Sequence, residues 1–249
     1  MVTNMRTSIL THILTHIRMN TSTCMIEFTS LLASLQQSDS FFPSGSMAFS
    51  WGLEGLQQDG LVTDAASLAV FVQEQALARW ASLDQGIVCA AWRADSLDAW
   101  LEVDAAAEAV TLPEPMRQGS RRLGRTLAEV HARLDVALAK DLRAAIAAGR
   151  TPGHLPAVQG MLWRSFGIGE GEARAISAHA ACTGAVSSAV RLGIVGHLDA
   201  QRVLTCLRLP LAAVLARPAP GLDELWSSTF AADIAVMRRH RHDARLFAN

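Results

Sequence analysis

The sequence predicts an all-α protein, a single globular bundle of roughly ten helices joined by short connections. Three observations lead there. Apolar residues recur at spacings of three and four in almost every long segment, Gly, Pro and Ser clusters interrupt them at helix-length intervals, and no segment alternates as a strand would. Half of the 249 residues are apolar and 18% are charged, which excludes disorder for the bulk of the chain and suffices for a sizeable core.

Residues 1–24 stand apart, with no acidic residue and the near-repeat Ile-Leu-Thr-His at 9–12 and 13–16. They read as a disordered or non-native N-terminal extension, with Met25 opening a helical domain over 25–249. Phe28, Leu31, Leu32 and Leu35 then follow a helical spacing that ends near Gln37. Asp39 to Gly52, rich in Ser and Gly around Pro43, reads as a structured loop before a short helix over Leu53 to Gln58. Thr63 or Asp64 caps a long helix towards Trp92. An Ala-rich acidic stretch over Ser96 to Val110 ends at Pro113 and Pro115. The run Leu123, Leu127, Val130, Leu134, Leu138 and Leu142 stops at Gly149, with Pro152 beyond it. Helices are predicted over Val158 to Phe166, Gly171 to Leu192, Asp199 to Arg217 and Leu222 to Arg241.

Composition narrows the function. Net charge is −1 and the arginines are spread along the chain, which gives no concentrated field for nucleic acid or anionic lipid. Cys24, Cys89, Cys182 and Cys206 are far apart in sequence, so neither a zinc clip nor a disulfide framework is indicated. Every long apolar run is cut by charged or amide residues, so no membrane span is expected. The only lysine is Lys140, between Ala139 and Asp141, outside any phosphate-binding G-x-x-x-x-G-K-[ST] loop. Gly167, Gly169 and Gly171 lack the preceding strand and final glycine of a dinucleotide fingerprint. Neither H-E-x-x-H nor G-x-S-x-G occurs. No catalytic residue, cofactor or metal ligand is therefore assigned. His131 and His179 are expected in helices as satisfied histidines.

Five segments carry a pattern. Asp39-Ser40-Phe41-Phe42-Pro43-Ser44-Gly45 continues through Ser50-Trp51-Gly52-Leu53-Glu54. Ser120, Gly124, Arg125 and Leu127 share a helix, Gly153 to Gly160 opens with Gly-His-Leu-Pro, Ala189 to Gly193 reads Ala-Val-Arg-Leu-Gly, and Arg245-Leu246-Phe247 closes the chain. Together, in order and spacing over residues 29 to 247, they resemble the urease accessory protein F family. Departures fall at Phe49, Ile194 and His197, and at Arg239, His240 and Asp243.

The resemblance implies a cytoplasmic, all-α, homodimeric protein without enzymatic activity. It would act in nickel insertion with urease accessory proteins D (also called H) and G, linking the GTPase, accessory protein G, to apo-urease and influencing GTP hydrolysis. The residues expected at partner surfaces are Asp39, Phe42, Pro43, Gly45, Glu54, Arg125, His154, Arg191, Arg245, Leu246 and Phe247. Independently of the family, Pro43 fixes its own backbone and restricts Phe42, while Gly45 permits a turn closed to other residues; a loop serving structure alone would need the same residues. Arg125 and Arg191 could bridge helices or meet a partner carboxylate. Leu246 and Phe247, an apolar pair at a chain terminus, need something to bind them. Two rivals stand beside this reading: a helical enzyme using Asp39, Glu54 and His154, and a module that binds a small ligand.

Overall fold

A computed structural model describes residues 27–39, 41–43, 50–227 and 229–238. Among them there are ten helices when stretches separated by no more than one residue are counted together, and no strand, as the periodicity predicts. The N-terminal extension lies outside the described residues.

Helix α1 spans 27–38 and α2 spans Leu53–Gln58. A continuous helix follows, made of α3 (Ala65–Phe71), π-helical turns over Val72–Leu77 and Trp80–Asp84, and α4 (Gln85–Arg93). Asp64 caps its start: the carboxylate accepts from the Ser67 amide at 2.8 Å, and the Asp64 amide donates to the Ser67 hydroxyl at 3.1 Å. The π-helical turns are not legible in the sequence; such insertions inside α-helices recur at functional sites. Helix α5 (Leu97–Val110) is capped by Ser96, which accepts from the Ala99 amide at 3.2 Å.

The apolar run from Leu123 to Leu142 divides into α6 (Glu114–Arg133) and α7 (Ala137–Ala147). The break falls at Asp135, whose φ of +62° ends a helix in the left-handed conformation that Asp tolerates better than most residues. Gly149, at φ +70°, closes α7 as expected. Helix α8 (Leu155–Ser165) starts earlier than predicted, since Pro156 occupies the first turn, where its missing N–H has no partner to lose.

Helix α9 covers Glu170–Arg191. The span expected as one helix over Asp199 to Arg217 splits at Leu207 into α10 (His197–Cys206) and α11 (Arg208–Leu215), because Pro210 cannot sit in a continuous helix without clashing one turn back. The last helix, α12, starts later than predicted, at Phe230, and is described as far as Arg238. Before it the backbone pairs elsewhere: the Trp226 amide donates to the Ser82 carbonyl at 3.3 Å.

Helix α8 is buried on every side from Pro156 to Trp163 and forms the centre of the larger core with α4, α5, α6 and α7. A second core unites α2, α3, α9, α10 and α12. Trp80, Trp100 and Trp163 are fully buried, and each indole N–H has an acceptor, so their large apolar area is buried without an orphaned donor. Helix α1 turns its apolar stripe outward. Phe28, Leu31, Leu32 and Leu35 are 49–65% exposed, while Ala33 and Gln37 face inward. Among the described residues no helix is long and apolar enough to cross a membrane.

Candidate functional site

The signature segment turns sharply after α1. The Asp39 carboxylate accepts from the Phe41 amide at 2.9 Å, and the Asp39 carbonyl accepts from the Phe42 amide at 3.0 Å. This turn lays Phe42 on the His131 ring, with centroids 5.2 Å apart, and Phe166 lies 5.0 Å from the same ring. Gln37 ties the layer down: its Oε1 accepts from Trp163 Nε1 at 3.2 Å and lies 3.1 Å from His131 Nε2. Burial pushes His131 down to about 4 from 6.5.

That shift sets a pH dependence. Between pH 6.5 and about 4 the unfolded chain takes up a proton that the folded ring refuses, so stability is complete above 6.5 and falls as the pH drops through this window. The loss expected from this group is roughly 2–3 kcal/mol. Urea denaturation midpoints measured from pH 7 to pH 4 should show it, and His131→Leu should flatten that part of the curve.

A cavity of about 110 Å³ opens beside this layer. Phe42, Trp51, Trp80, Trp163 and Leu123 supply apolar walls, and Asp39, Asp84, Gln159 and Ser177 bring polar groups to it. Burial holds the Asp84 carboxyl above its ordinary value, against the pull of Arg79 and His154. Sequence reading did not anticipate Arg79, Asp84, Gln159 or Ser177, each carried on a helix whose spacing marks only the apolar face. The π-helical turns, invisible to spacing rules, place Asp84.

The Ser120–Leu127 and Gly153–Gly160 segments form one contact. Ser120 Oγ accepts from the Leu155 amide at 3.2 Å, and Gly124 lies against the Gly153 carbonyl so closely that a Cβ would have no room. Gly153, at φ +77°, turns its own amide and that of His154 onto the fully buried Asp104 carboxylate, each at 2.7 Å. Thr151 adds its hydroxyl. Convergent successive amides of this kind bind an anion, here one fixed in the fold. His154 is also fully buried, with Nε2 2.7 Å from Glu108 Oε2. Burial alone would raise the Glu108 carboxyl, but hydrogen bonds from Arg121 and His154 hold it below its ordinary value.

The residues expected at partner surfaces thus take two places. Glu54 and His154 are buried. Asp39, Pro43, Arg125 and Arg191 are exposed, and Phe42 is half-buried. Arg125 forms no ion pair among the described residues. Gly45, Arg245, Leu246 and Phe247 lie outside the described residues. His131 is buried with Gln37 as partner, and His179 is exposed with its Nε2 3.2 Å from the Thr183 hydroxyl.

Among the described residues no three His, Cys, Asp or Glu side chains gather as a metal site. Burial pushes the Cys89 thiol up to about 12 and Cys182 up to about 11. Both are therefore protonated at neutral pH, in a state that neither attacks nor ligates well.

A family model described as UreF matches residues 62–208. This chain belongs to the UreF family. UreF relatives match well beyond that segment. The urease accessory protein UreF of Actinobacillus pleuropneumoniae serotype 5b (strain L20) is 30% identical over 220 residues, covering 86% of this chain and 97% of that protein. The protein of the same name from Rhizobium leguminosarum bv. viciae is 36% identical over 211 residues, 83% and 90% of the two chains. That of Trichodesmium erythraeum (strain IMS101) is 31% identical over 224 residues, 88% and 96%.

Proposed function

We propose that this chain is a urease accessory protein that serves maturation of the nickel centre as a scaffold rather than as a catalyst. It links accessory proteins D (H) and G to apo-urease in the cytoplasm, acts as a homodimer, and modulates GTP hydrolysis by accessory protein G. Membership of the UreF family over most of the chain carries this reading. The surface supports it: Phe28, Leu31, Leu32 and Leu35 form an exposed apolar stripe on α1, and Phe230, Ile234 and Met237 form another on α12. Contiguous exposed apolar patches of this kind mark protein contacts.

In this scaffold Asp39, Phe42, Pro43, Gly45, Arg125 and Arg191 meet partners, while Glu54 and His154, both buried, support those surfaces from inside the fold. Arg245, Leu246 and Phe247 bind accessory protein D, with Leu246 and Phe247 as apolar anchors. Deleting residues 243–249 should abolish copurification with accessory protein D from cells expressing both, while the helical circular dichroism stays unchanged. Retained copurification would refute the role of the tail. Cells lacking the gene should lose urease activity; normal activity would refute the accessory role itself.

A further inference from the structure

Arg79 sits on the short α-helical stretch between the two π-helical turns, with its side chain 5% exposed. It reaches three separate parts of the chain. Nη1 donates to the Ser227 hydroxyl at 2.6 Å, the guanidinium carbon lies 5.8 Å from the Trp51 ring centroid, and Nη2 stands 3.9 Å from Asp84. Nε is buried without a hydrogen-bond partner among the described residues. A buried arginine usually spends its charge on a bidentate carboxylate; this one divides it between a hydroxyl, a ring face and a distant acid.

What Arg79 joins is the signature loop and the C-terminal helix. Trp51 has φ +55°, an uncommon conformation for a bulky residue and a mark of local strain. Gly52 follows at φ +87°, where a Cβ would lie 2.6 Å from the Ala232 carbonyl oxygen, and a Cβ on Gly55 would meet Ala235 at 3.1 Å. Helix α12 therefore rests directly on α2 through Gly52, Gly55, Ala232 and Ala235. Small residues bury little apolar area; of the larger apolar side chains on α12 Val236 is buried, while Phe230, Ile234 and Met237 point away. Polar fixings add to this seat: Ser227, three residues before the helix, on Arg79, and the Ala232 amide on Gln75 Oε1 at 3.1 Å.

We infer that Arg79 is a positioning residue that locks the Ser50–Glu54 signature and α12 into one unit, and so fixes where α12 stands up to Arg238. The consequence for partner capture rests on the tail reading given under Proposed function. The geometry of the lock does not.

The test is hydrogen exchange on the isolated full chain, comparing Arg79→Gln, Arg79→Lys and Ser227→Ala with wild type. Arg79→Gln should speed exchange of the α12 amides by about tenfold or more while α6 and α8 amides keep their wild-type rates, a selective loosening that general destabilisation would not produce. Ser227→Ala, which leaves the buried charge in place, should move the same amides less. Arg79→Lys should not restore protection, because an ammonium cannot serve Ser227 and the Trp51 face together. Unchanged α12 exchange, or equal acceleration in α8, overturns the lock. Copurification with accessory protein D should weaken in step with α12 exchange; undiminished capture from a loosened α12 overturns the link to partners. The 243–249 deletion, run alongside, separates failure of the tail reading, because the exchange results stand without it.

Discussion

Replacing Asp104 by alanine should lower the stability of the fold by about 3–5 kcal/mol, a large part of the roughly 5–15 kcal/mol that holds a domain of this kind together. The Asp104 side chain is fully buried and accepts from the Gly153 amide, the His154 amide and the Thr151 hydroxyl. Truncation would leave all three buried donors unmet, and each unmet buried donor costs roughly 1–3 kcal/mol. The carboxylate also lies at the N-terminus of α8, where the helix dipole favours a negative charge. Thr151→Val, which gives up one hydroxyl, should cost only about 1 kcal/mol, and Asp104→Asn should fall between the two. Urea unfolding monitored by tryptophan fluorescence would rank them. A loss below about 1 kcal/mol for Asp104→Ala would mean that the 151–154 turn holds without its anion, contrary to a fully buried three-donor site.

Asp104 also shows where sequence reading stops. The pattern Gly153-His154-Leu155-Pro156 was legible as a motif, and so was the segment with Ser120 and Gly124, but not that the two touch. The acid they close upon was hidden in an Ala-rich acidic helix, where nothing in the spacing sets it apart from the exposed Asp98 and Glu102. Helix existence was legible almost throughout, because apolar spacing reports which face is buried. Helix breaks were legible where Gly or Pro causes them, as at Gly149, and missed at Asp135, where the left-handed residue carries a side chain. Pro210 was visible, yet the split at Leu207 one turn before it was not read from it. The α1 stripe had the right period, but its outward face was not readable, since spacing shows that a face is apolar without showing what covers it. Arg79 and Asp84 could not be placed, because the π-helical turns rotate them relative to an ideal α-helix.

Gly160→Ala should destabilise the protein by about 2–3 kcal/mol or more, although alanine is the better helix former by about 1 kcal/mol. Gly160 lies in the middle of α8, the helix buried on every side, and faces α4. A Cβ there would sit on the Val88 carbonyl oxygen and within 2.9 Å of both the Ala91 methyl and the Trp92 amide. Two of these are backbone atoms, which cannot move aside by changing rotamer, so α4 and α8 must separate. That displacement would open the packing around Ile87, Val88, Val158 and Leu162, each fully buried, and interiors at crystal-like density do not absorb such a shift cheaply. Gly184, on α9 with nothing within 4 Å of its would-be Cβ, supplies the control. Gly184→Ala should raise the thermal midpoint slightly while Gly160→Ala lowers it by several degrees, at roughly 2–4 °C per kcal/mol for a chain of this length. If both variants shift the midpoint upward, helix propensity outweighs close approach at Gly160, and α8 is not held against α4 as tightly as the backbone contacts require.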